Sequence, residues 1–197
     1  MATTDKAPGN ATGKATPRDR LLDAAAELFY RDGVSIGVEA LCKAAGVSKR
    51  SMYQLFTSKD EVLAASLDRR SAANAEQLLP GPQNDGTPRE RVLGLFERLE
   101  KASTEPGYQG CPFLAALVEL KDPGHPASVV AQQAKQRLQD WFRTQAEAGG
   151  AREPELLARQ LMLVFDGASA RSGARIESLA GLTTVTVTSL MDAAGVA

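Results

Sequence analysis

The chain has 197 residues, with 23 Lys and Arg against 24 Asp and Glu and a single histidine. A charge this close to zero excludes a uniformly basic nucleic-acid coat, and one histidine excludes a multi-histidine metal site within a single chain. Two cysteines, Cys42 and Cys111, are too few for a disulfide scaffold and fit a reducing compartment. No run approaches the roughly 18 apolar residues of a membrane span, and the N-terminal stretch lacks the apolar segment of a secretory signal. The expected location is therefore the cytoplasm, without a membrane partner. Residues 1–70 hold 11 Lys and Arg against 9 Asp and Glu, and residues 71–197 hold 12 against 15. That asymmetry is too weak to argue a nucleic-acid partner by itself.

In chain order, residues 1–16 are rich in Ala, Thr, Gly, Pro and Lys and read as a disordered tail. Thr16-Pro17-Arg18-Asp19 is a helix start, with an N-cap hydroxyl, a proline at the first position and an acid in the first turn. Leu21, Leu22, Ala25, Leu28 and Phe29 then fall on one face, and Gly33 stops the helix. A short helix is expected from about Val38 to Ala45, broken by Gly46-Val47, and another from Ser48 to near Phe56. Ser58-Lys59-Asp60-Glu61 reads as a capping box opening a long helix, which Pro80-Gly81-Pro82 closes. Thr87-Pro88-Arg89-Glu90 repeats the first start signal, with Val92, Leu95, Phe96 and Leu99 as its buried stripe. Further helices are expected near 112–121, 126–148 and 154–172. The last segment, 176–194, contains Thr183 to Val187, β-branched throughout and alternating with period two, which favours a strand locally. No second strand exists to pair with it, so it too is expected to be helical. The fold class is all-α, with about nine helices.

The segment that carries chemistry runs from Gly37 to Lys59. It reads as two short helices joined by a tight turn at Gly46, with Val47 available to pin the turn and Phe56 docking the third helix. The exposed face of the second helix would carry Ser48, Lys49, Arg50, Ser51, Tyr53 and Gln54. Cations and hydroxyls can hold phosphates there, while long polar side chains reach base edges in the major groove.

The ordered run from Ala45 to Leu63 (Ala-Gly-Val-Ser-Lys, then Ser51, Tyr53, Phe56 and Ser58-Lys59) resembles the TetR family of repressors. Gly110-Cys111-Pro112-Phe113 and Phe165-Asp166-Gly167-Ala168 look like features of one subgroup. The resemblance implies an N-terminal helix-turn-helix domain over 17–62 and a larger helical ligand-binding and dimerisation domain over 63–197. It implies a double-stranded DNA operator, a small-molecule effector and a homodimer as partners, with no cofactor and no enzymatic activity. Position by position, Lys49, Arg50 and Gln54 match residues facing bases or nearby phosphates, and Ser51, Tyr53 and Lys59 match phosphate contacts. Ser48 opens the recognition helix. Gly37 and Val38 open the preceding helix, whose amides can approach a phosphate. Two departures stand out: Ile36-Gly37 replaces a hydroxyl residue common in the family, and Leu55 replaces a common histidine.

In such regulators the C-terminal helices pair subunits, and Leu157, Leu161, Val164, Val187, Leu190 and Met191 are the expected interface. The expected pocket residues are Phe96, Tyr108, Cys111, Phe113, Trp141, Phe142 and Phe165. For each of these residues, plain core packing is the alternative. Cys111 lies at the start of a helix, where the dipole favours a reactive thiolate. An enzyme using Cys111 and His125 and a DNA-binding protein without a ligand remain as rival readings.

Overall fold

The computed structural model describes residues 15–78 and 86–196, and side chains throughout these except at 72–78. The expected tail over 1–14 and the proline-glycine stop at 80–82 lie outside the described residues. Among those residues nine helices form and no strand: α1 (Pro17–Asp32), α2 (Val38–Ala45), α3 (Lys49–Leu55), α4 (Lys59–Leu78), α5 (Pro88–Ser103), α6 (Pro112–Leu120), α7 (Pro126–Ala148), α8 (Pro154–Gly173) and α9 (Leu182–Ala194).

Local chemistry sets the helix starts. The Thr16 hydroxyl accepts from the Asp19 amide at 3.1 Å, and the Asp19 carboxylate reaches back to the Thr16 amide. Thr87 and Glu90 do the same at α5, so two orphan donors are satisfied at each start. At α4 the expected capping box closes only halfway. Ser58 Oγ accepts from the Glu61 amide at 3.1 Å, but the Glu61 carboxylate takes the amide and hydroxyl of Thr57 instead.

Packing divides into two cores. The first joins Leu21, Leu22, Ala25 and Phe29 of α1 to Leu41, Cys42, Met52, Phe56, Val62, Leu63 and Leu67, and continues into Phe113 and Ala116 of α6 and Ala127 and Ala131 of α7. The expected domain boundary at 62/63 therefore falls inside a continuous core. The second gathers α5, α7, α8 and α9 around an aromatic cluster. Phe96 stacks on Phe142 at 5.8 Å between centroids, Phe165 meets Phe96 edge-on, and Trp141 meets Phe142 edge-on.

This second core corrects part of the expected subunit interface. Leu157, Leu161, Val187 and Met191 are all at most 2% exposed within a single chain. Side chains already surrounded by their own protomer cannot meet a partner. Val164 and Leu190 are only partly buried and pack against the same core. The outward large apolar residues of α8 and α9 are Leu156, Leu163, Leu182 and Val185. α8 and α9 run antiparallel, since the Arg152 amide donates to Ala194 O, tying the start of one to the end of the other.

The β-branched segment is helical, but α9 begins at Leu182, six residues later than expected. Its first turn has no side-chain cap of its own. Glu100, projecting from α5, supplies one: its carboxylate accepts from the amides of Gly181 (2.9 Å), Thr183 (3.0 Å) and Thr184 (3.2 Å), and from the Thr183 hydroxyl. A carboxylate against a helix N-terminus satisfies orphan donors and opposes the dipole. Thr186 and Ser189 hydroxyls donate to carbonyls one turn back. Tertiary contacts thus override strand propensity.

Burial pushes the Glu100 carboxyl upward, but the Thr183 hydroxyl and the amides of Thr184, Gly181 and Thr183 outweigh it and hold the group below the usual glutamate range. A depressed folded-state value contributes stability that is present above the unfolded pKa of about 4.3 and is lost as pH falls through the folded value. Glu100→Gln is expected to lower unfolding free energy at pH 7 by roughly 1–3 kcal/mol. Urea titrations should show the wild-type advantage shrinking as pH drops below about 4.3, with no such loss in the variant.

Candidate functional site

The helix-turn-helix is built on a buried brace. Leu41, Cys42 and Ala45 of α2 and Met52 of α3 face the first core, with Cys42 Sγ 3.8 Å from Met52 Sδ. α2 ends at Gly46, whose φ of 61° and ψ of 38° lie in the left-handed region. Glycine adopts that conformation without the Cβ penalty of other residues. The Val47 amide then returns to Cys42 O at 3.0 Å, and Ser48 Oγ caps α3 by accepting from the Ser51 amide. With the inward side anchored, Lys49, Arg50, Tyr53, Gln54 and Leu55 are left exposed.

These outward groups are not equivalent. Lys49 Nζ lies 2.7 Å from Glu39 Oε1 on α2. Their mutual hydrogen bond raises the lysine pKa and lowers the glutamate pKa. Glu39 was not readable from the sequence, because its partner lies on the next helix, ten residues on. Arg50 has no partner among the described residues and is exposed. Ser51 Oγ shares a hydrogen bond with Ser48 Oγ. Gly37 occupies the N-cap of α2 with φ −75°, and a Cβ there meets nothing within 4 Å. Space for a serine or threonine is thus available, so the fold does not impose the missing hydroxyl. Val38 is half-buried against the first core.

Lys59, at the start of α4, is partly committed to structure. Its Nζ donates to Val34 O at 3.0 Å, while the Val34 amide donates to Glu119 Oε2 at 2.8 Å. The α1–α2 loop is therefore held between α4 and α6. Tyr30 makes a second tie: its hydroxyl donates to Gly110 O at 3.0 Å and accepts from the Gln109 amide at 2.8 Å.

Behind Tyr30 lies a cavity of about 290 Å³, walled by α1, α4, α5, α6, α7 and α8. Of the expected pocket residues, Tyr108, Cys111, Phe113 and Phe165 line it. Phe96, Trp141 and Phe142 do not. Phe96 and Phe142 have no exposed surface at all, because they fill the second core against each other. Cys111 is the N-cap of α6 and partly buried. His125 caps α7, its Nδ1 accepting from the Ala127 amide, and its Nε2 lies 3.6 Å from Asp60.

The cavity also has polar walls that sequence reasoning missed: Tyr30, Arg70, Lys135, Arg137 and Ser169. One signal was available, since Lys135 interrupts the stripe Ala131, Ala134, Leu138 on α7. Lys135 pairs with Asp166 and lies 5.0 Å from the Phe165 ring centroid. Arg137 donates to Ser71 Oγ at 2.7 Å, and Arg70 sits 4.2 Å above the Tyr30 ring. Burial raises the Tyr108 phenol pKa, partly offset by the Ser169 and Ser172 hydroxyls. Ser169 Oγ itself is buried beside that phenol and makes no well-formed hydrogen bond.

A family profile described as bacterial regulatory proteins, tetR family, matches residues 21–66, which span α1 to α4. A solved TetR-type transcriptional regulator from Streptomyces avermitilis MA-4680 is 61% identical, superposes with a TM-score of 0.91, and is matched over 92% of this chain and 100% of its own. The chain belongs to the TetR family. Two HTH-type transcriptional regulators match more locally. YjdC of Escherichia coli (strain K12) is 29% identical over 43% of this chain and 44% of its own length, and a regulator of Mycobacterium tuberculosis (strain CDC 1551 / Oshkosh) is 35% identical over 47% and 46%. The matched segments thus span less than half of those two proteins. These relatives are regulators and not enzymes, which sets aside the reading of Cys111 and His125 as a catalytic pair. No helix among the described residues is long and apolar enough to cross a membrane.

In this TetR-family chain the Gly110–Phe113 segment owes its first residue to close packing. A Cβ on Gly110 would lie 2.7 Å from Ser169 O, and one on Gly173 would lie 2.5 Å from Gln109 C. The loop backbone therefore rests directly on α8, one wall of the cavity. Gly173→Ala is expected to destabilise the protein by about 1–3 kcal/mol through overpacking, measured as a lower urea midpoint, with local loss of amide-exchange protection at 108–113.

Proposed function

We propose that this protein is a ligand-responsive transcription regulator that binds a near-palindromic operator as a homodimer and is released by a small-molecule effector. The observation that carries the reading is the α3 face: Lys49, Arg50, Tyr53 and Gln54 stand in solvent on a helix whose opposite side is anchored in a core. Lys49, Ser51, Tyr53 and Lys59 serve as phosphate contacts, with the α2 amides at Gly37 and Val38 nearby, while Ser48 shapes the helix start. Arg50 and Gln54 reach base edges. Glu39 holds Lys49 until phosphate replaces it, a weak competitor because the pair is exposed.

The effector site is the cavity behind Tyr30. Its walls include α1 and α6, so an occupant that shifts α6 acts through Tyr30 and Glu119 on the helix-turn-helix. Coupling of roughly 1–3 kcal/mol changes operator affinity by 5- to 150-fold. The dimer forms through the outward faces of α8 and α9. Leu163 and Val185 are 75% and 67% exposed there, and Gly167 and Ala170 lie on the same side of α8. Two antiparallel pairs on a twofold axis make a four-helix interface.

Selection of bound fragments from random duplex DNA should return a near-palindrome with half-sites about 34–36 Å apart or a multiple. On the selected site, Arg50→Ala should relax sequence preference. Lys59→Ala should weaken binding to every sequence and reduce the salt slope by about one. Identical behaviour of the two variants would remove the division of roles, and absence of any selected site would remove the function.

The interface is tested separately. Leu163→Glu with Val185→Glu should convert the dimer to a folded monomer in sedimentation velocity, with operator affinity sharply reduced. A dimer that persists would place the contact elsewhere.

A further inference from the structure

We propose that the occupant of the cavity is a small hydrophobic organic anion, an aromatic or short aliphatic carboxylate. The proposal rests on the cavity being the effector site. Among the described residues its lining contains three cations, Arg70, Lys135 and Arg137, and no carboxylate. Of these, Lys135 alone has a carboxylate partner among the described residues, Asp166. Arg137 is held by a neutral hydroxyl, that of Ser71. Arg70 lies over the Tyr30 ring and has no carboxylate partner among the described residues. Among the described residues the excess is positive, which disfavours a cationic ligand. A larger cleft on the other side of Tyr30, about 390 Å³, mixes Arg31 and Arg70 with Asp32 and Glu119 and shows no such bias.

A second, independent feature points the same way. Ser169 Oγ is fully buried in the cavity wall beside the Tyr108 phenol and makes no well-formed hydrogen bond. Buried hydroxyls without a well-formed bond are uncommon, and a small movement of this wall would let a ligand oxygen accept from Ser169. In the same lining, Leu99, Leu138, Phe113 and Phe165 offer an apolar surface. Apolar walls with a few converging polar groups select an amphiphile with an apolar body and one charged end. About 290 Å³ lies at the small end of ligand sites, matching one ring or a short chain. Planar arginine forks suit a carboxylate in particular.

The guanidinium groups also sit where charge can be transmitted. Arg70 touches Tyr30, and Tyr30 holds the 109–110 backbone through its hydroxyl. A carboxylate that draws Arg70 away from the ring therefore alters the contact between α1 and the cavity wall.

Isothermal titration of the full-length protein with benzoate, phenylacetate and hexanoate, each compared with its amide and with benzylamine or hexylamine, tests the proposal. At least one acid should bind with one site per chain and at least tenfold more tightly than its amide, and the amines should not bind. Arg70→Gln and Arg137→Gln should each weaken the acid about tenfold without changing the thermal midpoint by more than a few degrees. Ser169→Ala should weaken it less. Arg137 is exposed and leaves the fold intact if Arg70 proves structural. Amides or amines binding as well as acids, or acids indifferent to both arginine variants, would overturn the anion assignment. The effector reading would survive that result if Ala134→Trp, which fills the cavity, abolished the binding observed. Absence of binding by all three classes would overturn the assignment and remove the support for an effector site there.

Discussion

One contact that couples the two halves of the molecule directly is made by Tyr30. Its ring belongs to α1, whose buried face forms the helix-turn-helix core, while its hydroxyl is held between the carbonyl of Gly110 and the amide of Gln109. Those two peptides rest on α8 at a distance only glycine allows, at both Gly110 and Gly173. A rigid contact of this kind means that α1 cannot tilt without the cavity wall moving, and the wall cannot move without α1. Close-packed interiors transmit strain in this way because they have few voids to absorb it.

A second tie reinforces the first from the other end of α6. Glu119 accepts from the Val34 amide, and the Val34 carbonyl accepts from Lys59 at the start of α4. The peptide of Val34 is thus gripped on both sides, and α4 and α6 become indirectly coupled through the loop that precedes α2. α4 itself runs unbroken from beside the recognition helix into the cavity wall, where it presents Arg70 and Ser71. The geometry gives an occupant of the cavity short mechanical routes to the DNA-facing surface.

The aromatic residues divide between the second core and the cavity lining. Phe96 and Phe142 stack in the second core and bury completely, a pairing worth about 0.5–1.5 kcal/mol beyond area burial. Phe165 takes part in both, with one edge on Phe96 and its ring near Lys135 and the cavity. Phe113 and Tyr108 lie on the cavity side. The aromatic core thus continues through Phe165 into the cavity wall.

Local chemistry in the sequence determined the helices and most of their ends. Thr16, Thr87 and the Gly46 turn are short-range signals, decided by residues within one turn, and the ordered run from Ala45 to Lys59 specified the helix-turn-helix and the family. Burial direction was decided only by the tertiary structure. Leu157 and Leu161 look the same in sequence as Leu156 and Leu163, but a helix packed between neighbours on one side and open on the other separates them, and the sequence does not say which side is which. For the same reason Phe96 and Phe142 could not be told from cavity residues. The start of α9, the Glu39–Lys49 pair and the gathering of Arg70, Lys135, Arg137 and Ser169 each join residues from different helices. Such contacts have no local signature, because they depend on how helices cross and not on what any one helix contains.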